Sequence, residues 1–378
     1  MSLDILFAAE SLLPARGGAE RFALELLDAL ARRGHRVRAL WLSGGAGAAS
    51  AVRELPAGVD GRELPAPPRD AARYWEAIGA RRAVLSAAVR GEPPPDVAIT
   101  QLHGTPAALE ARAPFVVLLP SYESLCKVAH GPGATIVAGR VELVCPPPRD
   151  CLACPLAEVG AHAARRAQDE ALARADSLVA CSAAVAAAAR GWTGRDALVA
   201  EPVVAAPEAR ARHRGHVVVG AGAWGAHKGA ALVASIVRAL DGRAVTVTAA
   251  GLDGEAAAQL GRLGADLRDE PIAGVLDGAG ACVVPSLWPE PFSRVAFEAQ
   301  ACGVPVVAPR NGGLAEHVAP GGLLAPDAQP QDYADAVRAL DDPSAWAQAS
   351  EAARGAAGAV LARAPLERAV SAVEAAGA

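Results

Sequence analysis

Short apolar runs alternate with helical segments along the whole chain. Continuous apolar runs are typical of parallel strands, because helices bury such strands on both faces of the sheet. The pattern therefore predicts an α/β protein built on doubly wound parallel sheets. The predicted strands are Leu3–Ala9, Val37–Leu42, Val97–Thr100, Phe115–Leu119, Ser177–Ala180, Val217–Gly220, Val245–Ala249, Ala281–Val284 and Val304–Ala308.

The strand series restarts at Val217, after a stretch without helical pattern over residues 201–216. We therefore predict two facing domains, residues 1–205 and 206–362. A last helix, residues 363–378, can pack on either domain, and we expect it to pack back on the N-terminal one. Because ligands of such sheets bind at the carboxyl ends of the strands, the expected site is the cleft between the domains.

Composition narrows the class of protein. The chain has 378 residues and a formal net charge of −5, which argues against a nucleic-acid binder. It contains no apolar run of about eighteen residues and does not begin like a signal peptide, so we expect a cytoplasmic protein. An Arg-rich helix over residues 69–90 carries Tyr74 and Trp75. We interpret it as a surface helix, with a membrane-interface helix as the alternative.

Three glycines after the sixth strand, Gly220, Gly222 and Gly225, match the dinucleotide-binding pattern G-x-G-x-x-G. An NAD-linked oxidoreductase is therefore one hypothesis, with Asp253 as the residue that would hold a ribose. Against it, extra residues separate the glycines from the helix. Lys228, one of only two lysines in the chain, falls at the helix start and suits terminal phosphates.

Two glutamates eight positions apart, Glu290 and Glu298, mark the most informative segment. A loop made rigid by prolines carries Glu290, and a helix beginning at Pro291 or Ser293 and ending before Gly303 carries Glu298. Free N–H groups at that helix start suit sugar hydroxyls or a phosphate. A glycine pair, Gly312-Gly313, and a third acid, Glu316, follow. We interpret the glutamates as ligand holders rather than an acid/base pair, and the ligand as a sugar nucleotide.

The first strand is followed by a second glycine turn, Gly17-Gly18, which opens a helix over residues 21–33. Glycines let the backbone approach a ligand, and a helix start offers N–H groups to a phosphate. An ordinary strand-to-helix turn is the alternative.

Four of the seven cysteines cluster in a predicted insert, residues 126–154. Four thiolates so close in sequence can close a structural zinc site. A disulfide pair, a cluster cofactor and reduced thiols remain the alternatives. The candidate ligands are Cys126, Cys145, Cys151 and Cys154.

These motifs together resemble the retaining family 4 glycosyltransferases, which have the GT-B fold of two facing Rossmann-like domains. The resemblance covers nearly the whole chain. It rests most on the Glu290–Glu298 spacing, and also on Gly17-Gly18, His103-Gly104, residues 175–182, Lys228-Gly229 and Gly312-Gly313 with Glu316.

The resemblance implies a role for each matching position. Gly18 and Lys228 would contact the donor diphosphate, and His103 would lie beside the donor sugar. The carboxylate of Glu290 would hold the sugar hydroxyls together with nearby amides, and Glu298 would bind the ribose. The implied amides are those of Phe292, Ser293 and Arg294.

The resemblance also implies a reaction: transfer of a hexosyl unit, with retention, from a nucleotide diphosphate sugar. A UDP-sugar is the donor expected most often in this family. The acceptor would bind the N-terminal domain and can be a small molecule, a glycan or a lipid-linked sugar. No cofactor or divalent ion is expected for catalysis, and no membrane association.

One position departs from the family pattern. Relatives usually carry an arginine where this chain has Ala223. A non-catalytic sugar-nucleotide-binding protein is therefore an alternative, beside a GT-B nucleotide-sugar epimerase.

Overall fold

The fold is described from a computed structural model. It describes residues 2–12, 18–43, 54–67, 74–122, 125, 136–137, 140–141, 161–202, 208–270 and 272–378. The chain forms two compact units. The N-terminal unit comprises Met1–Gly133, Leu143–Pro202 and Pro365–Ala378, and the C-terminal unit comprises Ala134–Glu142 and Val203–Ala364.

The N-terminal unit is built on a seven-stranded, fully parallel sheet in the order β3-β2-β1-β4-β5-β8-β9. Its strands are β1 (Asp4–Ala9), β2 (Arg36–Leu42), β3 (Val59–Leu64), β4 (Val97–Gln101), β5 (Phe115–Leu119), β8 (Ser177–Ala180) and β9 (Leu198–Val199). Its helices are α1 (Gly18–Arg32), α2 (Tyr74–Gly91), α3 (Ala161–Arg174), α4 (Ala183–Thr193) and α12 (Pro365–Gly377). A short antiparallel pair, β6 (Ile136–Val137) and β7 (Arg140–Val141), lies within the C-terminal unit.

The C-terminal unit is built on a six-stranded parallel sheet in the order β12-β11-β10-β13-β14-β15. Its strands are β10 (His216–Val219), β11 (Val245–Thr248), β12 (Asp266–Arg268), β13 (Ala279–Val283), β14 (Val306–Pro309) and β15 (Leu323–Leu324). Its helices are α5 (Ala230–Ala239), α6 (Gly254–Arg262), α7 (Ile272–Leu276), α8 (Arg294–Ala301), α9 (Leu314–His317), α10 (Pro330–Ala339) and α11 (Pro343–Leu361).

Both sheets carry apolar cores as the strand pattern predicted. In β10, Val217 and Val219 pack with α5 and α10 on one face, whereas Val218 packs with α8 on the other. All nine predicted strands are confirmed. The strands that sequence missed include β3, β9, β12 and β15, which are the edges of the two sheets. β3 and β12 consist largely of polar residues, and β9 and β15 are only two residues long, so none of the four gave a clear strand pattern.

The last helix, α12, belongs to the N-terminal unit. Ala369, Val370 and Val373 are fully buried in the core that α1 and β1 share. At its polar side Glu374 pairs with Arg33 and with His35. Among the described helices, none is long and apolar enough to cross a membrane.

Helix α2 has exposed positions as well as a buried face, and that buried face includes two of its arginines. Arg81 is 2% exposed and donates to Glu10 at 3.0 Å, just beyond the end of β1. Arg82 is also buried, and its Nε donates to the carbonyl oxygen of His103 at 2.8 Å. These two side chains fix the segments that follow β1 and β4, where the strand order of this sheet reverses.

In the C-terminal sheet the strand order reverses between β10 and β13. Gly229, after β10, has φ +79°, and a Cβ atom there would overlap the carbonyl oxygen of Pro285, after β13. The amide of Leu287 donates to the carbonyl oxygen of His227 at 3.0 Å. The loops after these neighbouring strands are therefore fixed against each other. Glycine is required at 229 both for its backbone angle and for this close approach.

We predict that Arg81→Met lowers the free energy of unfolding by about 3 kcal/mol, because it removes the buried cation that pairs with the buried Glu10. Urea denaturation measures this change. The matched control is Arg90→Met, on the same helix, whose exposed pair with Glu110 should contribute little to stability. Equal, small losses in both variants would contradict a structural role for Arg81.

We also predict that Gly229→Ala costs more than about 1 kcal/mol, since a side chain at positive φ is strained and has no room here. Gly222→Ala serves as the control, because a Cβ atom on Gly222 meets nothing within 4 Å. Urea denaturation should place that control within about 0.5 kcal/mol of the wild type. A harmless Gly229→Ala would disprove the fixed contact between the two loops.

Candidate functional site

The predicted helix after the proline-rich loop is confirmed as α8, which begins at Arg294. Ser293 is its N-cap and accepts a hydrogen bond from the amide of Ala296. Ser293 has φ 73°, a left-handed conformation that costs a non-glycine residue about 1 kcal/mol or more. Gly303, with φ 77°, follows the end of the helix as predicted. Strained residues of this kind cluster at ligand-binding sites, so Ser293 draws attention to this loop.

Lys228 and Glu290 form a close ion pair across the reversal in strand order. Lys228 lies after β10 and Glu290 lies after β13, so both follow the carboxyl ends of neighbouring strands. Lys228 Nζ is 2.6 Å from Oε1 and 2.6 Å from Oε2 of Glu290. The side chain of Glu290 is 3% exposed and that of Lys228 is 21% exposed, so only the lysine reaches the surface. This is the position at which open parallel sheets bind ligands.

The carboxyl group of Glu290 is ionised in this pair. Burial acts to raise the pKa of Glu290, but the charge and hydrogen bond of Lys228, with a hydrogen bond from Ser286, outweigh burial and hold that pKa below its usual range. At neutral pH the pair is therefore a carboxylate held by an ammonium group. A ligand that binds Lys228 must therefore also provide hydrogen-bond donors for the carboxylate of Glu290, which loses its cation.

Trp288 and Ser286 complete the surroundings of the pair, and sequence reasoning missed both. Lys228 Nζ lies 4.9 Å from the centroid of the Trp288 ring, within the range of a cation–π contact. The ring of His227 meets the same indole edge-on at 4.9 Å. The hydroxyl of Ser286 donates to Glu290 Oε1 at 2.7 Å. The only feature of the sequence that could have pointed to them is that both lie within four residues of Glu290, in the loop between a strand and a helix.

The glycine pair packs against the backbone of this loop. The amide of Gly313 donates to the carbonyl oxygen of Glu290 at 2.6 Å, and residues 290 and 312 form a parallel bridge. A Cβ atom on Gly312 would lie 2.5 Å from that carbonyl oxygen, and one on Gly313 would lie 2.5 Å from the carbonyl oxygen of Pro291. Gly312 and Gly313 therefore have a structural role: they fix the backbone position of Glu290.

Glu298 lies one turn into α8, where its Oε1 accepts from Arg294 Nε at 3.4 Å. Its side chain is 12% exposed. Glu316, the third acid of the predicted segment, is an exposed residue of the four-residue helix α9.

The oxidoreductase hypothesis loses its two supports in this geometry. A 3₁₀ turn over Ala226–Lys228 separates the three glycines from α5, so the fingerprint does not open the helix. Asp253, the candidate ribose ligand, is instead the N-cap of α6 and accepts from the amide of Ala256 at 2.7 Å. Ala223 is exposed, and no side-chain cation stands at that position.

In the N-terminal unit, His103 follows β4 in a 3₁₀ turn and is 4% exposed. Gly104 beside it leaves no room for a side chain, since a Cβ atom would lie 2.9 Å from the Cα of Ala9. Gln168 reinforces the turn by donating to the carbonyl oxygen of Leu102 at 3.3 Å. Gly18 is the first residue of α1.

Gly17 and the four clustered cysteines lie outside the described residues. Within the described ranges, no three His, Cys, Asp or Glu side chains converge as a metal-binding group. Cys181, Cys282 and Cys302 are buried, free thiols. Burial raises the pKa of Cys282 to about 12, and chiefly burial raises that of Cys302 to about 11. These two groups are therefore protonated at neutral pH and poor nucleophiles.

The sequence matches two family models. Residues 17–203 match the glycosyl transferase 4-like domain, and residues 214–342 match the glycosyl transferases group 1. D-inositol 3-phosphate glycosyltransferase 2 of Catenulispora acidiphila is 56% identical over 66 residues, which are 17% of this chain and 15% of that relative. The match therefore spans about a seventh of the relative's length.

Solved structures resemble the whole chain. HepE of Anabaena in complex with UDP-glucose is 18% identical, with a TM-score of 0.66 over 98% of both chains. Sucrose-phosphate synthase of Thermosynechococcus elongatus is 18% identical, with a TM-score of 0.69 over 97% of this chain and 98% of its own. At these identities the likeness shows the fold alone. The predicted family and the predicted GT-B fold are confirmed: the chain belongs to the group 1 glycosyltransferases.

Proposed function

We propose that the protein transfers a hexosyl unit, with retention of configuration, from a UDP-sugar to an acceptor hydroxyl. The observation that carries the proposal is the ion pair of Lys228 and Glu290 after the carboxyl ends of β10 and β13. A buried carboxylate suits sugar hydroxyls, and an ammonium group that reaches the surface suits a diphosphate. The neighbouring fold with UDP-glucose bound supports this choice of donor.

In this proposal Lys228 exchanges partners when the donor binds. In the free protein both oxygens of Glu290 surround its ammonium group at 2.6 Å. The donor diphosphate takes over the lysine, and the carboxylate then accepts hydrogen bonds from the sugar. The carboxylate of Glu290 therefore competes with the diphosphate for Lys228.

Other residues follow as donor contacts. We assign the first turn of α8, with the amides of Phe292, Ser293 and Arg294, to the donor sugar, because such turns have N–H groups without intrahelical acceptors. Glu298 would hold the ribose.

Gly18, at the start of α1, is proposed to meet the diphosphate. His103 is proposed to lie beside the sugar, since Arg82 fixes its backbone at the carboxyl end of β4.

We propose retention without a protein nucleophile, because in the donor complex the carboxylate of Glu290 is occupied by the hydroxyls of the donor sugar. The bond from the anomeric carbon to the phosphate oxygen breaks, and the acceptor oxygen bonds to that carbon on the same face. The acceptor proton passes to the departing phosphate. Catalysis is then positioning and charge stabilisation, with Lys228 stabilising the charge that develops on the leaving group.

We predict that Lys228→Met lowers the transfer rate about a hundredfold or more, the usual cost of one lost oxyanion donor, while the protein still folds. The assay offers UDP-glucose with D-inositol 3-phosphate, the acceptor suggested by the names of the relatives, and follows UDP release. His103→Ala should also slow the reaction. NMR of the product should show the anomeric configuration of the donor.

Near-normal UDP release by Lys228→Met would contradict the role of the lysine. An inverted product would contradict retention. Glu351→Gln, an exposed carboxylate of α11, is the control for non-specific charge effects and should leave the rate unchanged. Stabilisation of the wild type by NAD alone, and by no nucleotide sugar, would overturn the proposed function.

A further inference from the structure

Ser286 is a buried residue whose hydroxyl makes its shortest contact with Glu290 of the Lys228–Glu290 pair. It is 1% exposed, and its Oγ lies 2.7 Å from Glu290 Oε1. The other acceptor within reach, the carbonyl oxygen of His227, is 3.4 Å away. Because a hydroxyl donates one hydrogen, the short contact takes it. Ser286 therefore donates to an ionised carboxylate inside the protein.

The donors on Glu290 differ in how firmly they are held. Lys228 sits at the end of a four-carbon side chain that reaches the surface. Ser286 lies in the same loop as Glu290, between Pro285 and Pro289, and the side-chain amide of Asn311 donates to its carbonyl oxygen at 3.4 Å. Proline fixes the backbone on both sides. When the lysine moves, Ser286 has no comparable freedom to follow it.

We propose that Ser286 is a positioning residue, which keeps the carboxylate of Glu290 in place for the donor sugar after Lys228 has moved to the diphosphate. The inference rests on the proposed function and deepens it. Without this hydroxyl, Glu290 would keep its charge and its lysine in the free protein. In the donor complex it would be left with the indole of Trp288 as its protein donor and would be oriented less firmly. The effect therefore falls on the sugar part of the donor and not on the nucleotide diphosphate.

Calorimetric titration of Ser286→Ala with UDP and with UDP-glucose tests this. We expect the Kd for UDP-glucose to rise about tenfold, the usual range for losing a hydrogen bond to a charged group. The Kd for UDP should stay within about twofold of the wild type. Ser286→Thr keeps the hydroxyl and should retain most of the UDP-glucose affinity.

The matched control is Ser350→Ala. Ser350 is also buried, in the same unit, and its hydroxyl donates to the carbonyl oxygen of Gly303 at 2.6 Å. This variant loses a buried serine hydrogen bond, here to a neutral carbonyl, without touching Glu290, so neither Kd should change.

Three results would overturn the proposal. Equal weakening of UDP and UDP-glucose in Ser286→Ala would show a structural role only. An unchanged Kd for UDP-glucose, with the wild type binding both ligands, would remove the inference and leave the proposed function standing. A wild type that binds neither ligand would remove both. A melting temperature for Ser286→Ala within a few degrees of that of Ser350→Ala ensures that folded protein is compared.

Discussion

The C-terminal unit depends on one constraint: a carboxylate and an ammonium group meet away from bulk water. Glu290 and Lys228 are 62 residues apart in the sequence, and the fold joins them. A buried charge such as that of Glu290 is costly unless it is paired and hydrogen-bonded. The loops after β10 and β13 must therefore be held closely enough for a contact of 2.6 Å on both carboxylate oxygens. Gly229 fixes one loop against the other, and Gly312 and Gly313 fix the backbone of Glu290 itself.

The same constraint explains the chemistry we propose. A pair that satisfies itself in the free protein is stable, but it also occupies the cation that a diphosphate needs. A donor with both a diphosphate and a sugar can compensate both charges at once, because the phosphate replaces the carboxylate at Lys228 and the hydroxyls replace the ammonium at Glu290. A nucleotide diphosphate alone compensates only one. The site thus favours the complete donor over the product that leaves after transfer.

Much of this arrangement could be predicted from sequence because it is local. Buried parallel strands are apolar throughout, and all nine predicted runs are strands. The glycine at 303 and the prolines before α8 bracketed that helix. The strands β3 and β12 were missed because they are largely polar, and β9 and β15 because they are only two residues long. The family and its GT-B fold were implied by a resemblance that rests most on the Glu290–Glu298 segment, and both were confirmed.

What sequence could not supply are contacts between distant segments. Nothing in the amino-acid sequence shows that Lys228 reaches Glu290, that Ser286 donates to Glu290, or that Trp288 lies under the lysine. Nor does the sequence show that Arg81 and Arg82 are buried, or that Arg81 pairs with a carboxylate. Asp253 looked like a ribose ligand and caps a helix instead. For the ion pair and the buried arginines, the contact partner lies on another element of the fold. For Asp253, an aspartate at that position suits either a ribose or a helix N-cap, and sequence alone does not distinguish the two.

The most direct test of the account is calorimetric titration of UDP into Glu290→Gln and into the wild type. If the carboxylate competes with the diphosphate for Lys228, removing its charge should tighten UDP binding about tenfold, since hydrogen bonds to charged groups are of that strength. The same variant should lose affinity for UDP-glucose relative to UDP. UDP binding that is unchanged or weaker in Glu290→Gln would contradict the exchange of partners at Lys228.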